Sequence, residues 1–322
     1  MYRDLKVTAV IPAYNEEKLI GKTIDTLPAF VDDIIVTNDG STDGTLAVLE
    51  RMAAVDSRIT IVDNQPNLGL GASLRNAYRR VLTTDAELVC LLPGDAQHPP
   101  EAISGMFDVL LDEHLDYVKP NRFTDMDALK QMPRHRRAGN IVITILTKFA
   151  TGYYSIFDSQ NGSGVFRRST LERLPLDIIG NGYDYENTLL VALSIIGAKV
   201  KDYPVKAIYG EEESTIRLVP TALRALRVSF TGFWTRIWYK YILYNFHPIA
   251  LFLVSGLALF LVGFAFCIYM LVERLAFGVS PSTGTVMLGV LPLILNFQLV
   301  LTAIQMDVNN ENRGGPSQLS RF

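Results

Sequence analysis

Cysteine is nearly absent: Cys90 and Cys267 are the only two. One lies in an apolar, strand-like run and the other in a long uncharged stretch, so neither a disulfide framework nor a thiolate metal pair is expected. Neither glycine-rich loop ends in Gly-Lys-Ser/Thr, so neither is a P-loop. Gly69-Leu70-Gly71 lacks the third glycine of a dinucleotide fingerprint and follows the third strand rather than the first. No Ser/His/Asp or Cys/His constellation offers a nucleophile. Positive charge is not in excess either: 30 Lys and Arg against 33 Asp and Glu leave a net charge of −3, which gives nucleic acid no general attraction.

Charge is also missing from Tyr241–Val272 and from Leu275–Met306. A hydrocarbon core takes about 20 apolar residues to cross, so spans are expected at about 249–272 and 286–306. Only a short connector separates them, so the pair should form a hairpin. Its small residues Gly256, Ala258 and Gly263 would permit close helix packing, and a homo-oligomer is left open. Before the hairpin, Arg217, Arg224, Arg227, Arg236 and Lys240 alternate with Leu226, Phe230, Trp234 and Trp238, the pattern of helices at a membrane interface. Five basic residues there, against Arg274 alone in the connector, place the soluble part and the C-terminus in the cytoplasm. The start, Met1–Lys6, leads into a strand too short for a signal-peptide core, in keeping with that side. The expected organisation is a soluble domain over 1–215, amphipathic juxtamembrane helices over 216–246, the hairpin over 247–308 and a polar tail over 309–322.

Within 1–215, short apolar runs alternate with helical patterns. Val7–Pro12, Ile34–Val36, Ile59–Val62, Leu88–Leu92 and Asp116–Val118 read as strands. Asn15 is placed to cap a helix starting at Glu16-Glu17, and further helices are expected around Leu46–Met52, from Asn67 to about Leu82, and from Pro99-Pro100-Glu101 onward. Such alternation means an α/β domain with a mostly parallel sheet. Ligands of such sheets collect beyond the carboxyl ends of the strands. Asp95 and Gln97 follow the fourth strand at that edge, and their hard oxygens suit a divalent cation.

Four motifs then fall in one order: Pro12-Ala13-Tyr14-Asn15-Glu16-Glu17, Asn38-Asp39-Gly40-Ser41-Thr42-Asp43, Asn67-Leu68-Gly69-Leu70-Gly71 and Asp95-Ala96-Gln97-His98-Pro99-Pro100. As a set they resemble the family 2 glycosyltransferases of GT-A fold, and most of all the polyprenyl-phosphate sugar transferases. The resemblance covers roughly residues 5–215. It implies a nucleotide diphosphate sugar, UDP- or GDP-linked, held by Pro12, Tyr14, Glu16, Asp39, Gly69, Asp95 and Gln97. It implies Mg²⁺ or Mn²⁺ on Asp95 and Gln97. The family commonly shows Asp-x-Asp-x-Gln, and the first acid's place is taken here by Pro93, so Asp158 is a candidate to complete the metal set or touch the sugar.

The acceptor implied is an undecaprenyl or dolichyl phosphate in the lipid bilayer. Arginine forks suit its phosphate, and Arg122, Arg137 and Arg134 follow the fifth strand. Asp95, Arg122, Arg137 and Asp158 are therefore the catalytic candidates, and Asp184 and Glu186 resemble the rim of the sugar pocket. The reaction expected is inverting transfer of one sugar to the lipid phosphate. Two alternatives stand beside it: a membrane-tethered nucleotide-sugar binding protein without catalysis, motivated by Pro93, and a processive polysaccharide synthase, which would carry a Gln-x-x-Arg-Trp motif absent from this chain.

Overall fold

The computed structural model describes residues 1–94, 99–124, 134–182, 184–206, 218–244 and 246–311, with backbone alone for 124, 134–138, 140 and 218–224. The chain divides into two units, one running through Trp234 and the other starting at Thr235.

The first unit is built on seven strands: β1 (Val7–Ala13), β2 (Asp33–Asn38), β3 (Ile59–Asp63), β4 (Leu88–Leu91), β5 (Tyr117–Asn121), β6 (Gly164–Arg167) and β7 (Val200–Pro204). Between them run α1 (Ile20–Asp25), α2 (Thr45–Ala53), α3 (Leu70–Val81), α4 (Glu101–Asp112), α5 (Arg134–Thr151), α6 (Arg168–Arg173) and α7 (Tyr185–Ile195). Strand order is β3-β2-β1-β4-β6-β5-β7, and only β6 runs antiparallel to its neighbours. The expected α/β architecture is therefore present, with two strands beyond the five read from sequence.

Strand side chains alternate between the two faces of a sheet. Val10, Ile35, Val89 and Leu91 pack with Leu74, Tyr78 and Leu189 on one face, while Ala9, Ile11, Ile34 and Cys90 pack with Ile20, Leu49 and Phe107 on the other. Cys90 is wholly buried, and that burial pushes its thiol up to about 12, so it is an inert packing residue. β5 runs on past Val118 through Pro120. It pairs with β6 only at Tyr117 and Val118, so the proline, which has no N–H to give, stands where that ladder has ended.

Asn15 does not cap a helix. It takes φ of 56°, a left-handed conformation that asparagine tolerates, and α1 begins only at Ile20. Its side chain serves another loop instead, as described below.

After α8 (Leu218–Arg236) comes a π-helical turn, Ile237–Leu243, and then two helices, α9 (Pro248–Phe277) and α10 (Thr283–Glu311). Both of the latter are long and apolar enough to cross a membrane. Gly278, at φ 65°, closes α9 with the left-handed cap that glycine favours. A Cβ on Gly263 would stand 2.8 Å from the Gly289 carbonyl oxygen and one on Gly256 3.2 Å from Asn296 Oδ1, so these two glycines are spent on contact within the hairpin, while Ala258 is exposed. Arg236, expected among the interfacial cations, is instead fully buried. Its Nη1 and Nη2 reach the Asp307 carboxylate at 2.7 and 2.9 Å. α10 thus carries a charge one residue past the uncharged stretch seen in the sequence, and Tyr241 donates its hydroxyl to the same carboxylate.

Candidate active site

β1 and β2 lie on one side of a junction and β4 on the other. The strand order reverses between β1 and β4, the switch point at whose carboxyl edge ligands of such sheets collect. The first two loops, after β1 and β2, are laced together beside it. Asn15 Oδ1 accepts from Thr42 N at 2.8 Å, Glu16 N donates to Thr45 Oγ1 at 2.8 Å, and Glu17 accepts from Gly44 N at 3.1 Å. Pro12 and Glu16 are half-buried here, and Tyr14 is exposed.

Asp39 leaves the end of β2 almost fully buried. Its carboxylate accepts from Leu68 N, Gly69 N and Asn64 Nδ2 at 3.0, 2.9 and 3.1 Å, bracing the third loop. Gly69 and Gly71 are needed by close approach: a Cβ on Gly69 would meet the Asn181 carbonyl oxygen at 2.5 Å, and one on Gly71 the Gly180 carbonyl oxygen at 1.9 Å. The third motif therefore carries the segment leading into α7.

Past β4, Gly94 gives its carbonyl to Thr23 Oγ1 at 2.8 Å, and a Cβ on it would stand 3.0 Å from the Pro12 carbonyl oxygen. The fourth motif thus starts over the first. Asp95 and Gln97 themselves lie outside the described residues, as do the side chains of Arg134 and Arg137, whose backbone opens α5.

Arg122 and Asp158, both singled out from sequence, come together. Arg122 Nε and Nη2 reach the two Asp158 oxygens at 2.8 and 3.0 Å, and Arg122 N adds a third bond at 3.1 Å. Asp158 is completely buried while the arginine side chain is 41% exposed. In this arrangement the Asp158 carboxylate is gripped on both oxygens and closed to solvent, so its charge is matched by the arginine. No group of three or more His, Cys, Asp or Glu suited to a metal occurs among the described residues.

Sequence reasoning missed Lys119 and Asp202. Lys119 is buried on β5 and donates to the Asn161 carbonyl, and Asp202 faces it on β7. The only signal was a charge interrupting an apolar strand. Burial pulls the Lys119 ammonium below its usual range, against the pull of the Asp158, Glu186 and Asp202 carboxylates. Burial also pushes Asp202 up to about 6 and Glu186 up to about 7. Glu186 opens α7 beside Gly162, whose carbonyl accepts from Tyr185 Oη at 2.6 Å. A Cβ on Gly162 would stand 3.8 Å from both Glu186 Oε1 and Pro93 Cγ, so the carboxyl and the proline ring flank one point at the edge. Asp184 precedes α7, but its side chain makes no cap.

The sequence profile of the family described as "Glycosyl transferase family 2" matches residues 8–174, about half the chain, from β1 through α6. The chain belongs to glycosyl transferase family 2. This glycosyltransferase is 25% identical over 221 residues to the UDP-N-acetylglucosamine–dolichyl-phosphate N-acetylglucosaminyltransferase of Methanococcus voltae, covering 65% of this chain and 88% of the relative. It is 25% identical over 206 residues to the polyprenol monophosphomannose synthase of Mycolicibacterium smegmatis, covering 62% and 76%. Among solved structures, the UDP complex of glucosyl-3-phosphoglycerate synthase from Mycobacterium tuberculosis shares the fold, with a TM-score of 0.54 at 20% identity over 71% of this chain and 80% of that one.

Proposed function

We propose that this glycosyltransferase moves one sugar from a UDP- or GDP-linked donor to a polyprenyl phosphate, with inversion. What carries the reading is the union in one chain of a family 2 domain with two helices of membrane-crossing length. A lipid acceptor gives that union a purpose, and both relatives above are named for a polyprenol-type phosphate acceptor. The outer faces of the first unit fit a bilayer surface. Ile141, Val142, Ile145 and Phe149 of α5 and Phe230 and Trp234 of α8 are exposed, and Gly232 of α8 seats that helix against Val191 and Ala150. The basic residues before α9 support a cytoplasmic face for the domain, even with Arg236 removed from the tally by its pairing.

In this reading the nucleotide lies over Pro12, Tyr14, Glu16 and Asp39, on loops already tied to one another. The acceptor phosphate is met by Arg122, with Arg134 and Arg137 on the first turn of α5. One phosphate oxygen attacks the anomeric carbon as the bond to the diphosphate breaks, and the leaving electron pair goes to the diphosphate. Attack opposite the leaving group inverts the centre. The nucleophile is already anionic, so catalysis lies mainly in placing charge: Asp158 holds the Nε–Nη2 edge of Arg122 and so orients the guanidinium, whose Nη1 side meets the phosphate. Asp95 and Gln97 offer the hard oxygens that suit Mg²⁺ or Mn²⁺, and such an ion supplies Lewis-acid neutralisation of the leaving diphosphate.

The test is transfer of radiolabelled sugar into a lipid-extractable product, from a panel of UDP- and GDP-sugars with undecaprenyl or dolichyl phosphate, with and without Mn²⁺. Metal-dependent label, lost in Asp95→Ala, is the expected result. Donor binding without label in lipid from any donor would overturn it in favour of a tethered binding protein.

A further inference from the structure

The segment Phe157–Asn161 carries Asp158 to the sheet edge, and side chains from β5 and β7 hold it at both ends. At its start, Phe157 N donates to Asp202 Oδ2 at 2.7 Å, and Asn121 Nδ2 donates to the same oxygen at 2.9 Å. At its end, the Lys119 ammonium donates to the Asn161 carbonyl oxygen. Lys119 and Asp202 are register partners in the parallel β5–β7 ladder, so their side chains leave the sheet on the same side. Between the two ties lies Asp158 with its forked bonds to Arg122.

We propose that Lys119 and Asp202 are positioning residues, which tie Phe157 and Asn161 to the sheet and so set where the Arg122–Asp158 pair stands. A buried lysine is costly unless its charge is matched. Here the facing groups are Asp202 on β7, Asp158 on the tied segment and Glu186 on α7, with Arg122 the other cation among them. Asp202 Oδ1 is closed from solvent and accepts nothing among the described residues, so one oxygen does the tying while the other is left to the field of the ammonium. A carboxylate kept half-satisfied under a strand edge makes a poor stability device. It makes sense as the fixed anchor of a segment whose position matters. The role assigned to Arg122 and Asp158 rests on the lipid-phosphate transferase reading, whereas the tie itself does not.

The tie has a pH signature. Asp202 is raised from its ordinary 3.8 to about 6, chiefly by burial. Its ionised form, the better acceptor for Phe157 N–H, is therefore lost as the pH falls through about 6, and kcat should show an acid limb there. Asp202→Asn keeps an oxygen for Phe157 N–H but no longer titrates, so its share of that limb should vanish and the profile should shift, leaving what Glu186 and the acceptor phosphate contribute. Asp202→Ala and Lys119→Met cut one tie each. With the full-length protein in bilayer nanodiscs, kcat should fall roughly 10–100-fold in each, the range for lost supporting contacts. KM for the donor should stay within about twofold, and hydrogen exchange over 157–161 should speed up. Unchanged exchange in both variants would overturn the tie whatever the enzyme assay shows. Faster exchange with unchanged kcat, or a kcat–pH profile of Asp202→Asn that superposes on the parent's, would overturn the positioning role. Faster exchange in a wild-type background that transfers no sugar would uphold the tie and sink the transferase reading.

Discussion

Arg122 and Asp158 stand 36 residues apart in the chain and meet in a two-pronged ion pair, at 2.8 and 3.0 Å. Their burial is unequal. Asp158 is fully enclosed, whereas water reaches 41% of the arginine side chain.

That inequality predicts an asymmetry. Arg122→Met strands an enclosed carboxylate and should cost about 3–5 kcal/mol, the range for breaking a buried pair. Asp158→Asn leaves a guanidinium that solvent can satisfy and still offers it an oxygen, so its cost should be nearer 1–2 kcal/mol. Both should abolish most transfer, because the fork is either gone or no longer held. Thermal melts beside initial rates check this, and equal melting losses would contradict the asymmetry.

Glu186 predicts a stability that falls as the pH rises. Its carboxyl is raised from 4.5 to about 7, chiefly by burial. A raised acid favours the protonated form in the folded state. Stability therefore falls as the pH rises from about 4.5 through 7 and stays reduced above it. Glu186→Gln removes that penalty, so the variant should be more stable at pH 8 by at most about 3 kcal/mol. The gap should close toward pH 4.5. Denaturation midpoints of the two proteins across that window would show it, and a gap that widens toward acid would refute the assignment.

Much of this was legible because parallel strands, buried on both faces, read as continuous apolar runs. Val7–Pro12, Ile34–Val36, Ile59–Val62 and Leu88–Leu92 announce themselves, and the polar loops after three of them land at one edge. β6 and β7 do not. β6 has four residues, and β7 reads Val-Lys-Asp-Tyr-Pro, broken by Lys201, which pairs with Glu113, and by Asp202, which accepts from Asn121 on β5 and from Phe157. Asn15 looked like a cap because sequence cannot show a left-handed backbone. Arg236 looked like an interfacial cation because Asp307, 71 residues away, gives no local sign of pairing with it. Asp158 stood out in the sequence as a candidate, but its hold on Arg122, 36 residues away, did not, since no local pattern joins the two.

Close approach at the third motif makes glycine identity testable. A Cβ on Gly71 would sit 1.9 Å from the Gly180 carbonyl oxygen and 3.0 Å from Tyr185 Cβ, and backbone cannot give way cheaply. Gly71→Ala should therefore cost about 1–3 kcal/mol, the usual range for overpacking. It should also depress transfer by displacing the segment that leads to Glu186. Gly139→Ala, in α5 with nothing within 4 Å, is the comparison: helix propensity should make it neutral or stabilising by about 0.5–1 kcal/mol. Melting temperatures of the two variants decide the matter, and a harmless Gly71→Ala would contradict the packing.

Arg236 and Asp307 carry the last prediction. The pair is enclosed, with side-chain exposures of 0% and 7%, and Tyr241 adds its hydroxyl to the carboxylate. Asp307→Leu alone strands a buried guanidinium, and Arg236→Met alone strands a buried carboxylate. Each should cost about 3–5 kcal/mol. The double variant strands neither, and replacing a buried ion pair by apolar side chains of similar size is often neutral or stabilising. Stability should therefore return in the double variant toward the parent. What should not return is the single fit of the hairpin's open end, because apolar surfaces slide where a forked pair does not. A scan of cysteine pairs across the open ends of α9 and α10 would read this as one crosslinking register in the parent and several in the double variant. Two single variants as stable as the parent would show that the pair is solvated, contrary to its burial here.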